Sequence, residues 1–171
     1  NSKKKGHSPA LTKEVWRQMS SFAGYAFCKA HSASYAVESY QSLYLKTYFP
    51  QEFYTAVINN FGGFYRTWVY VNEAKRHGAT IHLPDINISR HLTYIRGNDL
   101  YLGWVHVKSL ESTTVERIIE ERTRNGKFKG FQDFLERVPV GQEQLQILIR
   151  IGAFRKMGKK MQLMWDRLLL A

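Results

Sequence analysis

The chain has 171 residues, 44% of them hydrophobic, and a formal net charge of +11 with a pI near 9.8. That length holds one domain or two small ones, the apolar fraction is enough for a core, and the charge favours a polyanionic partner. A single cysteine, Cys28, excludes an intrachain disulfide and a cysteine-built zinc cluster, and no apolar run is long enough to span a membrane, so a soluble, cytoplasmic setting is expected.

Residues 1–10 are polar, lysine-rich and begin without methionine, which reads as a disordered start cut from a longer protein. Thr12 then stands as a cap before Val15, Trp16, Met19 and Phe22, predicting a short amphipathic helix that Gly24 stops. A second helix is expected from about Ser34 to Tyr48, with Tyr40, Tyr44 and Tyr48 four residues apart beside Val37, Leu43 and Leu45 as an apolar face. Pro50 opens a third helix, with Glu52 in its first turn and Phe53, Val57 and Ile58 as the buried stripe, ending at Asn59-Asn60. After the turn Gly62-Gly63-Phe64-Tyr65 comes a helix over Thr67–His77, with Trp68, Val71 and Ala74 inward and Gly78 as its C-cap.

Thr80-Ile81-His82-Leu83 reads as a short strand ended by Pro84. Tyr94-Ile95-Arg96 and Leu100-Tyr101-Leu102, around Gly97-Asn98-Asp99, predict a small β-hairpin. A domain boundary is placed near Ser89–His91, so that residues 1–90 form one segment and 91–171 a second module. Its helices are expected over Thr113–Asn125, Phe131–Arg137, Glu143–Ile151 and Lys159–Leu170. The fold class is therefore mainly α, with a short β-hairpin between two helical parts.

The chemistry-bearing residues start with Lys29 and His31, set among Ala30, Ser32, Ala33 and Ser34. Small neighbours let a ligand approach the backbone, the basic groups donate to an anion, and a helix N-terminus near Ser32 or Ser34 adds free N–H groups. The plainer readings are a solvated lysine and a capping or structural histidine. Tyr35 could stack on a base, although an aromatic at helical spacing also serves a core. Cys28-x-x-His31 is a conceivable metal pair, but no second pair accompanies it. The acids are scattered singly on helices, as with Glu116, Glu120 and Glu121, beside Arg117 and Arg124 at four-residue spacing.

Phe22-Ala23-Gly24-Tyr25-x-Phe27-x-Lys29-x-His31-Ser32-Ala33-x-Tyr35-Ala36, followed by Tyr40-Gln41 and Tyr44-Leu45-Lys46, resembles bacterial polymerase III alpha subunits. Pro84-Asp85-Ile86-Asn87, Phe128-Lys129-x-Phe131-x-Asp133-Phe134-x-Glu136-Arg137-Val138 and Ile149-x-Ile151-Gly152-Ala153-Phe154 continue the likeness in the family's order. The resemblance implies that residues 1–90 are the back of a fingers domain and 91–171 a hairpin plus a tandem helix-hairpin-helix module. It also implies a share in a DNA-directed DNA polymerase, a nucleotidyltransferase. The loop Gly62–Tyr65 and the stretch Ala74–Gly78 are similar to the accessory, damage-tolerant branch.

On this resemblance Lys29, His31 and Tyr35 contact the incoming nucleotide. The palm carboxylates that hold Mg2+ would lie upstream, so no catalytic residue, metal or cofactor is expected in this chain and it should not polymerise alone. The first hairpin would be Val107–Ser112, with Lys108 and Ser109 toward DNA, but Ser109 and Glu111 stand where the family has glycines. The second hairpin, Ile151–Lys160, keeps Gly152 and Gly158 and adds Arg155, Lys156, Lys159 and Lys160 as phosphate contacts without sequence preference. It also reads as a helix-joining loop with solvent-facing lysines. Duplex DNA and a deoxynucleoside triphosphate are the expected partners, with a sliding clamp or other replication protein as a further candidate. The rival reading is a non-catalytic helical module that binds a replication or repair protein.

Overall fold

The computed structural model describes residues 3–26, 29–159 and 162–163 and is mainly helical, with one small sheet. The chain divides into two compact units, Asn1–Tyr44 and Leu45–Ala171.

In the first unit a 3-10 turn at Lys3–Lys5 precedes α1 (Pro9–Ala26), so order reaches into the stretch expected to be disordered. The helix begins three residues before Thr12. Ser8 is its cap, accepting the Leu11 N–H on its hydroxyl at 3.2 Å and the Thr12 N–H on its carbonyl at 3.0 Å, while Pro9 supplies a preset φ at the first helical position. Gly24 does not stop it, because one internal glycine costs a helix only about 1 kcal/mol. The next helix, α2 (Lys29–Tyr48), whose last four residues are counted with the second unit, starts five residues earlier than expected. Ser34 does not cap it and instead donates back to the Ala30 carbonyl at 3.0 Å. None of the described side chains of this unit is buried; Trp16 is 70% and Tyr40 71% exposed.

The second unit carries two cores. α3 (Pro50–Asn59) and α4 (Thr67–Arg76) pack on a three-stranded sheet through Tyr54, Ile58, Ala74, Ala79 and Leu100. The buried stripe of α3 therefore centres on Tyr54 and Ile58, and Trp68 of α4 points outward. Each helix ends in the same hydrogen-bond pattern. Gly78 N–H donates to Lys75 O and Ala79 N–H to Ala74 O after α4; Phe61 N–H donates to Ile58 O and Gly62 N–H to Val57 O after α3. The second of these places a phenylalanine at φ +60, where a Cβ is strained. Phe61→Gly is expected to stabilise the protein by about 0.5–1 kcal/mol in urea unfolding, and a loss of stability would show that the ring, which meets His106 edge-on, matters more than the backbone. Gly62 is fixed on two counts, its φ of +66 and the collision a Cβ would make with the Tyr70 ring.

The sheet comprises β1 (Thr80–His82), β2 (Tyr94–Arg96) and β3 (Asp99–Tyr101), in the order β1-β3-β2. β2 and β3 form the expected hairpin about Gly97-Asn98. β1 joins β3 in parallel, with His82 opposite Tyr101. A boundary at Ser89–His91 thus runs between strands of one sheet. After β3, Gly103 presses on the backbone of residues 91–93: a Cβ would collide with the Leu92 carbonyl carbon and lie 2.5 Å from His91 O and Thr93 N.

α5 (Ser112–Asn125), α6 (Phe131–Arg137) and α7 (Gln142–Arg150) enclose the larger core, in which Trp104, Phe134, Phe154, Ile118 and Leu148 are at most 1% exposed. The expected Lys159–Leu170 helix lies mostly outside the described residues; Gln162 and Leu163 are helical. Glu121 pairs not with Arg117 or Arg124 but with Arg137 at 2.9 Å, which also reaches Asp133 at 3.1 Å and lies over the Phe128 ring.

Pro84–Ser89 ties sheet to helices. Asn87 donates to Phe128 O and accepts from Phe128 N–H, both at 2.8 Å. Ile86 N–H donates to Ala153 O at 3.0 Å, and Arg122 donates to the Ile86 and Ser89 carbonyls at 2.9 Å each.

Candidate nucleic-acid interface

The second hairpin is set by the end of α7. Gly152, at φ +75, lets its N–H donate to Ile149 O while Ala153 N–H donates to Leu148 O, both at 3.0 Å, which turns the chain sharply and drives Ala153 and Phe154 into the core. The loop then exposes Lys156, Gly158 and Lys159, which line one open groove of about 500 Å3 with Gly152 and Arg155. Lys160 lies outside the described residues. Arg155 is not free in this arrangement. It donates to Pro84 O at 2.7 Å and meets the buried Asp85 carboxylate at 3.4 Å, so it anchors the hairpin to the Pro84–Ser89 segment.

The first hairpin follows a 3-10 turn at Trp104–His106. Ser109 sits at φ +62, so the backbone keeps the left-handed turn that a glycine would take without strain. Glu111 has φ −70, where any residue is comfortable, so a glycine is not required there. Its N–H is already used: the buried Gln144 of α7 accepts it at 2.9 Å and donates to Ser109 O at 3.2 Å. Lys108 is exposed beside this latch. Sequence reasoning missed Gln144, although a polar residue beside Leu145 and Leu148 on the inner face of an amphipathic helix was a usable signal.

Lys29 is the first residue of α2 and its side chain lies outside the described residues. His31 and Tyr35 are exposed one turn apart with ring centroids 4.4 Å from each other, edge to face. Both thus sit within a helix's opening turns, where the first four N–H groups have no intrahelical acceptor, rather than in a loop before it. Among the described residues no three His, Cys, Asp or Glu side chains are grouped to hold a metal ion, and no helix is long and apolar enough to cross a membrane.

A helical layer turned by a glycine, with lysines exposed on the turn and the first hairpin latched from the same helix, defines the class. The model of the helix-hairpin-helix motif matches residues 78–163, half of the chain, and the chain belongs to that family. Over most of its length it is also similar to DNA polymerase III subunit alpha. The Staphylococcus aureus protein is 35% identical over 161 residues, 92% of this chain, and the Borreliella burgdorferi protein is 30% identical over 168 residues, 96% of it. The chain spans about 15% of the length of these curated relatives. The resemblance carried by Phe22–Lys46 and Pro84–Asn87 is borne out.

Proposed function

We propose that this chain is the part of a polymerase III alpha subunit that grips duplex DNA by its phosphates and helps to position the incoming deoxynucleoside triphosphate, with nucleotidyl transfer performed by the longer protein. The observation that carries this reading is the second hairpin, where Lys156, Gly158 and Lys159 stand exposed on a tight glycine turn inside the region that matches the helix-hairpin-helix family. Backbone N–H groups and lysines on such a turn suit phosphate oxygens and ignore base identity. Lys29, His31 and Tyr35 are assigned to the nucleotide, and a sliding clamp and the cytoplasm belong to the same proposal. Mg2+ and the bond-making step belong to the longer protein in this proposal.

The test is fluorescence anisotropy with a primer-template duplex at low and physiological salt. Lys156, Lys159 and Lys160 are changed together to alanine, and Arg155 is left in place because it tethers Asp85. The variant should bind at least about tenfold more weakly, and its slope of log affinity against log salt should fall by about 2–3, since each neutralised phosphate adds about 0.9 to that slope. Equal binding by both proteins would overturn the hairpin's role.

A second reading, a protein-binding module, is favoured by α1, whose Leu11, Val15, Trp16 and Met19 are all about half exposed or more. Absence of DNA binding at low salt would leave that reading in possession.

A further inference from the structure

Away from both hairpins, a cleft of about 400 Å3 opens beside the sheet, lined by Arg90, Arg96, Arg122 and Lys127 together with Tyr94 and Tyr101 and by no carboxylate. The four cations come from a loop, a strand, a helix end and the loop after it, so nothing in the linear sequence announces them.

The surroundings hold Arg90 and Arg122 in place without pairing them with an acid. His82, Tyr101 and Tyr94 lie opposite one another across β1, β3 and β2, and their rings stack at 4.5 and 4.9 Å with planes within 13° of parallel. The Arg90 guanidinium rests 4.4 Å from the centre of the Tyr94 ring. Arg122 spends two donors on the Ile86 and Ser89 carbonyls, and burial pulls its pKa below the ordinary arginine value. The neighbouring acids are engaged elsewhere: Asp99 with His82 at 2.6 Å, and Asp85 with Asn87 N–H and Arg155. One desolvated, hydrogen-bonded guanidinium and one laid on a ring, beside the exposed cations Arg96 and Lys127 in a cleft without an acid, suit a phosphate.

The cleft neighbours the hairpin across the Pro84–Ser89 segment, whose Asp85, paired with Arg155, lines both cavities between them. Lys127 also lines an adjoining cavity of about 210 Å3 that Lys156 lines as well, while Tyr101 and Ile88 border another of about 270 Å3 with Arg155 and Lys156. Cations on both sides of that segment, with Lys127 and Lys156 lining one cavity, fit a strand better than a single small anion.

We infer that the Arg90–Arg96–Arg122–Lys127 cleft is a second phosphate-binding site, which takes the sugar-phosphate backbone of the nucleic-acid strand that the second hairpin holds. It rests on the proposed function for its ligand class and adds a contact surface to it.

The experiment compares the wild-type chain, the hairpin variant above, and a chain with Arg90→Ala, Arg96→Ala and Lys127→Ala. Arg122 is spared because it supports two carbonyls. Thermal midpoints guard against unfolding, and the single changes Arg96→Glu and Lys127→Glu, both at exposed positions, replace the triple one if it is unstable. The cleft variant should lose about tenfold in duplex affinity and about 2 in salt slope, multiplying with the loss from the hairpin variant. Affinity and slope like wild type, beside a weakened hairpin variant, overturn the cleft and leave the proposed function standing. A weakened cleft variant beside an unaffected hairpin variant supports the cleft and overturns the hairpin. Tighter binding of inorganic pyrophosphate or of phosphatidylserine vesicles than of DNA overturns the strand as occupant, and no DNA binding by the wild type overturns both proposals.

Discussion

Gly103→Ala is expected to destabilise the second unit by about 3–5 kcal/mol, the scale of severe overpacking. Conformation is not the reason, since Gly103 has φ −78 and ψ 158, which alanine adopts freely. The added methyl would have to occupy space held by the carbonyl carbon of Leu92, the His91 oxygen and the Thr93 nitrogen, and backbone atoms cannot rotate aside as a side chain does. Relief requires parting two chain segments joined by Trp104 N–H to Arg90 O and Val105 N–H to His91 O, both at 3.0 Å, and by Gly103 N–H to the Thr93 hydroxyl at 3.1 Å. The buried Trp104 would move with them. Gly141→Ala is the control, because its Cβ would meet open space and the change costs a helix cap no more than about 1 kcal/mol. Unfolding free energies of the two variants, from urea titrations, within about 1 kcal/mol of each other would refute the steric account.

Asn87→Ala is expected to cost about 2–4 kcal/mol, because it strips a donor and an acceptor from one buried backbone residue. The Asn87 amide pairs with both the carbonyl and the N–H of Phe128, as a neighbouring β-strand would, and Phe128 is 3% exposed. Without the amide neither group finds water easily. Asn87→Asp should fare no better: the acceptor for Phe128 N–H is kept, but a carboxylate oxygen then faces the Phe128 carbonyl. Hydrogen exchange at the Phe128 amide is the specific readout. Unchanged protection there in the alanine variant would mean that the segment is held by other contacts.

What could be read from the sequence was local. α3 and α4, the hairpin around Gly97-Asn98 and the glycine ends at Gly78, Gly126 and Gly152 all follow from signals within a few residues. The start of α1 was legible too, since Ser8-Pro9 is a stronger opening than Thr12. The parallel pairing of β1 with β3 was not, because it depends on a crossover and leaves no mark on a three-residue strand. Nor was the division of labour among the basic residues. In sequence Arg155 is one more cation beside Lys156 and Lys159, yet its partner Asp85 lies 70 positions away. The basic cleft escaped for the same reason, its arginines being gathered only by the fold. Serine at position 109 departs from the glycine of the family pattern, but the backbone keeps its left-handed turn, with Gln144 holding both flanks.

The Pro84–Ser89 segment has a consequence for how the chain is made. Its partners Arg122, Phe128, Ala153 and Arg155 all follow it, the last by 70 residues. At synthesis rates of about 5–20 residues per second, roughly 4–14 s pass before that last partner emerges from the ribosome. Through that interval Ile86, which ends 1% exposed, faces a core still lacking Ala153 and Phe154. The nascent chain therefore carries an unmet apolar segment that a chaperone can hold, and the larger core of the second unit is completed only after Ala153 and Arg155 arrive.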